Sequence, residues 1–146
     1  MFKRENWWVW VTTALLAFGL FGCRVAWAEV PSEWPRYAIQ VEGEFGLPAG
    51  LLRSICSAES DWKPYLTGIA GEIGVCQMKP ATLAMFVHDS PENMRDPYYS
   101  IYYAGVYLDW VSRQLKTRNP DILAAAYNRG PYSEVVRYMQ KVRSRR

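Results

Sequence analysis

Glu59 is the residue around which any chemistry in this chain is organised. In the stretch Leu51 to Pro80, LLRSICSAESDWKPYLTGIAGEIGVCQMKP, it is the one acidic residue on an otherwise apolar helical face. Helical spacing puts Cys56, Ile55 and Leu52 three, four and seven positions before it. A carboxyl group held against apolar neighbours tends to keep its proton towards neutral pH, which is the state a general acid needs. A helix rotated from this placement would leave Glu59 solvated and ordinary. Beyond it, Gly68, Gly71 and Gly74 fall at every third position in a turn-rich region. That spacing suits a backbone that takes φ > 0 or lets a ligand approach closely. Other chemistries have little to work with. His88, the single histidine, sits in a predicted loop without the cysteine or carboxylate pattern of a metal site, so neither metal nor cofactor is expected. Cys56 lacks a histidine partner for thiol catalysis, and no phosphate loop or dinucleotide fingerprint is present.

Three blocks follow one another along the chain: Glu59-Ser60, then Gly71-Glu72-Ile73-Gly74-Val75-Cys76-Gln77-Met78-Lys79-Pro80-Ala81-Thr82, then Ala126-Tyr127-Asn128-Arg129-Gly130-Pro131. In kind and in order they resemble the signature blocks of the soluble lytic transglycosylase family, over a span from Trp34 to Tyr138. The resemblance implies a mainly α, lysozyme-like helical domain that cleaves the β-1,4 bond between N-acetylmuramic acid and N-acetylglucosamine in peptidoglycan. It makes Glu59 catalytic and leaves 1,6-anhydro ends on the product. By the same analogy Ser60 and Gln77 bind or orient substrate, and the Gly71 to Gly74 backbone lines the groove. Tyr127 and Asn128 form the opposite wall, with Tyr127 reaching the glutamate. Asp61 and Glu72 are the candidates for a second carboxylate, both expected to face solvent. Two departures stand out: Cys76 replaces the family's usual methionine, and Ser100 a frequent asparagine. The first bears on one sugar subsite, the second on support of the long helix. A muramidase admitting water at the same site is the first alternative. A non-catalytic wall-binding subunit of an envelope-spanning secretion or conjugation machine is the second.

The elements that must position these residues read as helices throughout. Ser32 is placed to cap a helix with Trp34, Ala38, Val41 and Phe45 on one face, stopped by Gly46 and Pro48. Leu51 to about Asp61 carries Glu59, and a short helix is expected from Pro80 to about Val87, followed by a polar loop with Pro91 and Pro97. Ile101, Ala104, Leu108, Val111 and Leu115 keep helical spacing and predict the central helix. Asn119-Pro120 opens another and Gly130-Pro131 closes it, while Val135, Val136 and Met139 mark a last one. Tyr65 to Val75 is long enough for a small hairpin. Tyr98, Tyr99, Tyr102, Tyr103, Tyr107 and Trp110 crowd one helix; Tyr99, Tyr102 and Trp110 are expected in the core.

Residues 1–28 read as an export signal, with Lys3 and Arg4 before an uncharged run from Trp7 to Gly22 and Ala26-Trp27-Ala28 at the cleavage site. Residues 29–146 are then a single periplasmic domain. Leu20-Phe21-Gly22-Cys23 resembles a lipobox and supplies the competing route, a lipoprotein anchored through Cys23. Cleavage removes Lys3, Arg4, Arg24 and Glu5 from the 17 basic and 14 acidic residues, which leaves one net positive charge and no case for nucleic acid. Of the three cysteines, Cys56 and Cys76 remain. In an oxidising compartment they are either a disulfide or two small buried hydrophobes.

Overall fold

Apolar residues at intervals of three and four dictate helices, and the computed structural model, which describes residues 30–144, is built of them. The export signal, the Ala28 cleavage site and Cys23 lie outside the described residues. Helix α1 (Glu33–Phe45) buries Ala38 and Val41 completely and half-buries Trp34 and Phe45. Gly46 ends it at φ 60°, in the left-handed region that glycine enters without cost. Ser32 stands at the N-terminus as expected, but its side chain makes no capping bond.

Helix α2 (Leu51–Ser60) carries the expected stripe: Leu52, Ile55 and Cys56 are buried and Glu59 is half-buried. Its entry is capped from outside. Glu42 of α1, only 2% exposed, accepts the Gly50 N–H at 2.7 Å and the Arg53 N–H at 3.1 Å. A carboxylate at a helix N-terminus satisfies orphan donors and meets the positive end of the helix dipole. This cap also fixes α2 against α1.

The short helix α3 (Pro80–Leu83) ends four residues before the expected Val87, although turns carry on to Phe86 and the Val87 N–H still reaches the Leu83 carbonyl. In place of a plain polar loop, residues Pro91–Arg95 form a 3-10 helix, and Pro97 opens the next helix instead of lying in the loop. That helix, α4 (Pro97–Leu115), is the axis of the molecule. Asp96 caps it by accepting the Tyr99 N–H at 2.9 Å. Ile101, Ala104, Leu108 and Val111 are fully buried beneath α1, α2 and the next helix, α5 (Pro120–Arg129). Asn119 caps α5 through the Ile122 N–H. The last helix, α6 (Glu134–Arg143), buries Val136 and packs on α5. No helix among the described residues is long and apolar enough to cross a membrane.

Between α2 and α3 the chain folds into a compact block without forming a named strand. Ile73 bridges Thr67 on one side and Met78 on the other, both antiparallel. The expected hairpin is thus reduced to isolated bridges. The block is pinned to the helices instead: Arg95 donates to the Tyr65 carbonyl at 3.0 Å and the Thr67 hydroxyl at 3.2 Å, and Gly74 packs directly on the Met94 carbonyl. Gly74 has φ 82°, and a Cβ there would collide with that carbonyl, so both its conformation and its contact require glycine.

Candidate active site

A cleft of about 280 Å³ opens where the end of α2, the glycine block and the end of α5 meet. Glu59 lines it from α2; Glu72, Gln77 and Lys79 come from the block and Thr82 from α3. Tyr107 of α4, with Tyr127, Asn128 and Arg129 of α5, completes the lining. Residues 68 positions apart in the chain, Glu59 and Tyr127, are therefore brought to one site. Glu59 reaches it because α2 ends there. The two residues after Ser60, Asp61 and Trp62, both take positive φ, 53° and 59°, which turns the chain sharply away. Gln77 is a third non-glycine residue in that region, at φ 48°. Sparsely populated backbone conformations cost energy and collect at functional sites, and here Gln77 lines the cleft while Asp61 and Trp62 follow closely on the helix end that carries Glu59.

Cys76 holds the parts together. Its sulfur is joined to Cys56, one helical turn before Glu59. Its carbonyl accepts the Tyr127 hydroxyl at 2.7 Å, and its N–H donates to the Ser100 hydroxyl at 3.2 Å. The two departures from the family pattern are thus partners, both fully buried. Neither acts as the sequence had implied: Cys76 does not line the cleft, and Ser100 supports the block as well as α4. Ser60 adds a fourth tie, donating to the Val75 carbonyl at 2.6 Å.

Several expected site residues take up different positions. Ser60 is 5% exposed, faces the block and does not line the cleft. Gly71 and Gly74 have the positive φ expected of them but lie behind the lining. Gln77 does line it, with its amide held by the Leu66 and Gly74 carbonyls at 3.1 and 2.9 Å. Asn128 lines it with its side chain exposed. Tyr127 reaches the cleft, yet its hydroxyl bonds the Cys76 carbonyl and not Glu59. Burial first, then the Glu59 carboxylate and Tyr107, push the Tyr127 phenol far above its ordinary range. It remains a neutral donor at any working pH.

Glu72 is the correction with most chemical weight. Expected in solvent, it lines the same cleft as Glu59, where its carboxylate accepts the Ala70 N–H at 3.1 Å and meets Lys79 at 3.7 Å. Asp61 does face solvent, near Lys63. Lys79, Thr82 and Arg129 were not foreseen as lining; all belong to or adjoin the quoted blocks, but nothing in their spacing points inward.

No group of three or more His, Cys, Asp or Glu that could hold a metal occurs among the described residues. What the cleft offers is one carboxyl group engaged in no hydrogen bond or ion pair among the described residues, a second tied to a lysine, a neutral phenol, and amides to hold polar groups. No curated protein matches the chain. The model of a family described as Transglycosylase SLT domain matches residues 36–145, so the chain belongs to that family, within the lysozyme-like superfamily.

Proposed function

We propose that the chain is a peptidoglycan lytic transglycosylase in which Glu59 serves first as general acid and then as general base. The observation that carries this reading is the unequal state of the two carboxylates in one cleft. Glu72 is engaged by Lys79 and the Ala70 amide, whereas Glu59 ends an apolar stripe with no such partner. In the reaction Glu59 protonates the glycosidic oxygen as the bond to the muramyl anomeric carbon breaks, and the N-acetyl group shares the developing positive charge. The 6-hydroxyl of the same sugar then attacks the anomeric carbon, and its proton returns to the Glu59 carboxylate. No water is consumed, and the muramyl residue ends as a 1,6-anhydro ring. Gln77 and Asn128 are placed to hold substrate polar groups, and Tyr127 keeps the wall opposite Glu59 neutral.

Glu72 supports one second reading, a muramidase. Hydrolysing glycosidases use two carboxyl groups, and a second one is present in the cleft. Mass spectrometry of muropeptides released from purified sacculi separates the two: anhydro ends are one water lighter than reducing ends. On the transglycosylase reading Glu59→Gln lowers activity by about 10² to 10⁴, while Glu72→Gln retains anhydro product. Reducing ends alone, lost in Glu72→Gln, establish the muramidase. Full activity in Glu59→Gln removes both. Export to the periplasm is part of the proposal, motivated by residues 1–28; an N-terminus at Glu29 supports it and a lipid-blocked Cys23 replaces it with the anchored form.

A further inference from the structure

Residues 129–146 carry six basic side chains against one acid, Glu134, whereas residues 29–128 carry eight against twelve. Most of the described part of that positive end is α6. Inward, the helix is held by few contacts: Val136 is buried, Met139 is half-buried against the core, and the Gln140 amide donates to the Leu115 carbonyl at 3.2 Å. Next to this face, Val135, Tyr138 and Val142 follow one another at spacings of three and four and form one exposed apolar stripe. Tyr138 is 68% exposed, and Tyr132, just ahead of the helix, 64%. A rotation of about 100° per residue puts Arg137 and Lys141 beside the stripe, on the side away from the core. Both are exposed, as is Arg143, and none of the three pairs with an acid among the described residues. Tyr138 and Val142 also border an open groove of about 300 Å³ against Ile122 of α5, with Asn119 and Asp121 on its far rim.

A partner for this face has to match two features at once. Valines and a tyrosine held in water favour a surface that removes them from it, and a row of unpaired cations favours an anionic one. An anionic polymer meets the cations and leaves the valines wet. An apolar patch on a protein meets the valines and strands the cations. A bilayer interface with anionic headgroups supplies both. A basic amphipathic helix lies in its plane with the apolar stripe at the acyl boundary, while the Lys and Arg stems carry their charges up to the phosphates. Tyrosines favour the headgroup level, where Tyr132 and Tyr138 would sit. Charge also sets which way the molecule faces. The acidic excess of residues 29–128 is repelled by an anionic surface, so α6 is the end turned towards it. Arg129 and Gly130, a few residues before α6, line the cleft, so seating the helix sets the cleft beside that surface.

We propose that α6 is a membrane-surface helix, seating the protein on an anionic lipid layer through Val135, Tyr138 and Val142 with Arg137 and Lys141 beside them. The full chain is mixed with vesicles of phosphatidylglycerol or of phosphatidylcholine, and amide hydrogen exchange is read segment by segment. Binding through the apolar run at residues 7–22 then registers separately from α6. Exchange across residues 132–144 is expected to slow on the anionic vesicles and to be unchanged on the neutral ones. Arg137→Gln with Lys141→Gln should lower that protection by up to about 30-fold, about fivefold for each cation. Val135→Ser with Val142→Ser should lower it as well, and thermal unfolding confirms that both double variants are folded. No slowing on phosphatidylglycerol, or equal slowing on phosphatidylcholine, overturns the proposal. So does protection that survives loss of the two valines, because the stripe is then not seated. Protection by soluble poly-glutamate as strong as that by the anionic vesicles gives the helix to an anionic polymer and overturns the lipid surface. No arm of the experiment uses catalysis, so its outcome is separate from that of the reaction assigned to Glu59.

Discussion

Reducing the Cys56–Cys76 bond tests how far the site depends on one covalent tie. The bond closes a loop with a sequence separation of 20, and for that length the chain-entropy model gives about 3 kcal/mol of stabilisation. Both sulfurs are fully buried, so the protein should be unfolded, reduced and refolded in reductant, which preserves every heavy atom of the core. For a domain of this size that loss corresponds to a drop in Tm of roughly 10–20 °C. Activity should fall further than stability accounts for. Cys56 lies one turn before Glu59 and the Cys76 carbonyl holds Tyr127, so the bond ties together two sides of the cleft. A displacement of about 1 Å at a reacting group can cost on the order of 10²-fold in rate. Far-ultraviolet circular dichroism and Tm, read beside muropeptide release at a temperature where both forms are folded, separate the two effects. A reduced protein that melts within about 3 °C of the oxidised one and cleaves at full rate would refute the reasoning.

The cap on α2 makes a second prediction: Glu42→Ala strands the Gly50 and Arg53 amides and should destabilise by about 2 kcal/mol in urea unfolding, whereas an unchanged midpoint would mean that water replaces the carboxylate without loss. Alkali should unfold the protein. Burial raises Tyr37, Tyr107 and Tyr127, and with the Asp89 hydrogen bond it pushes Tyr99 up to about 12, from an ordinary value of 10.0. The unfolded chain therefore releases protons from these phenols before the folded one does. Stability is complete below about pH 10 and is lost as pH rises from there through 12; a Tm independent of pH across that window would contradict it.

Much of this architecture is legible in the residues, and the boundary of what is legible has a physical cause. The faces of α2 and α4 follow from helical spacing alone, because burying Leu52, Ile55, Ile101 and Leu108 leaves each helix one orientation. Turn residues mark the ends of α1 and α5 for the same local reason. The resemblance brought Glu59, Gln77, Tyr127 and Asn128 to one cleft before any geometry was known. Glu42 was missed because its partners are backbone amides eight and eleven residues on, and amides leave no trace in composition. Glu72 was misplaced because the block that carries it has no periodic pattern; its path depends on bridges to Thr67 and Met78. Ser60 looked like a neighbour of the Glu59 carboxyl group in the cleft, and it faces the interior instead. One residue along a helix is a rotation of about 100°, enough to exchange the cleft for the interior.

The anchoring of the glycine block has a consequence for the order in which the molecule assembles. A pair of strands without a sheet is barely stable in water, and this block forms no named strand, only two isolated bridges and short-range turn and side-chain hydrogen bonds of its own. Its ties to the rest of the molecule run to Arg95, Met94, Ser100, Ser60 and Cys56, which have to be in place to receive it. The helices can form on local contacts, which are the quick ones to make; the block can dock only afterwards. Amide hydrogen exchange should then show residues 66–78 opening at lower free energy than α4, as a separate cooperative unit. A chain arrested before that step would possess its helices and its Glu59, and would have no groove in which to use it.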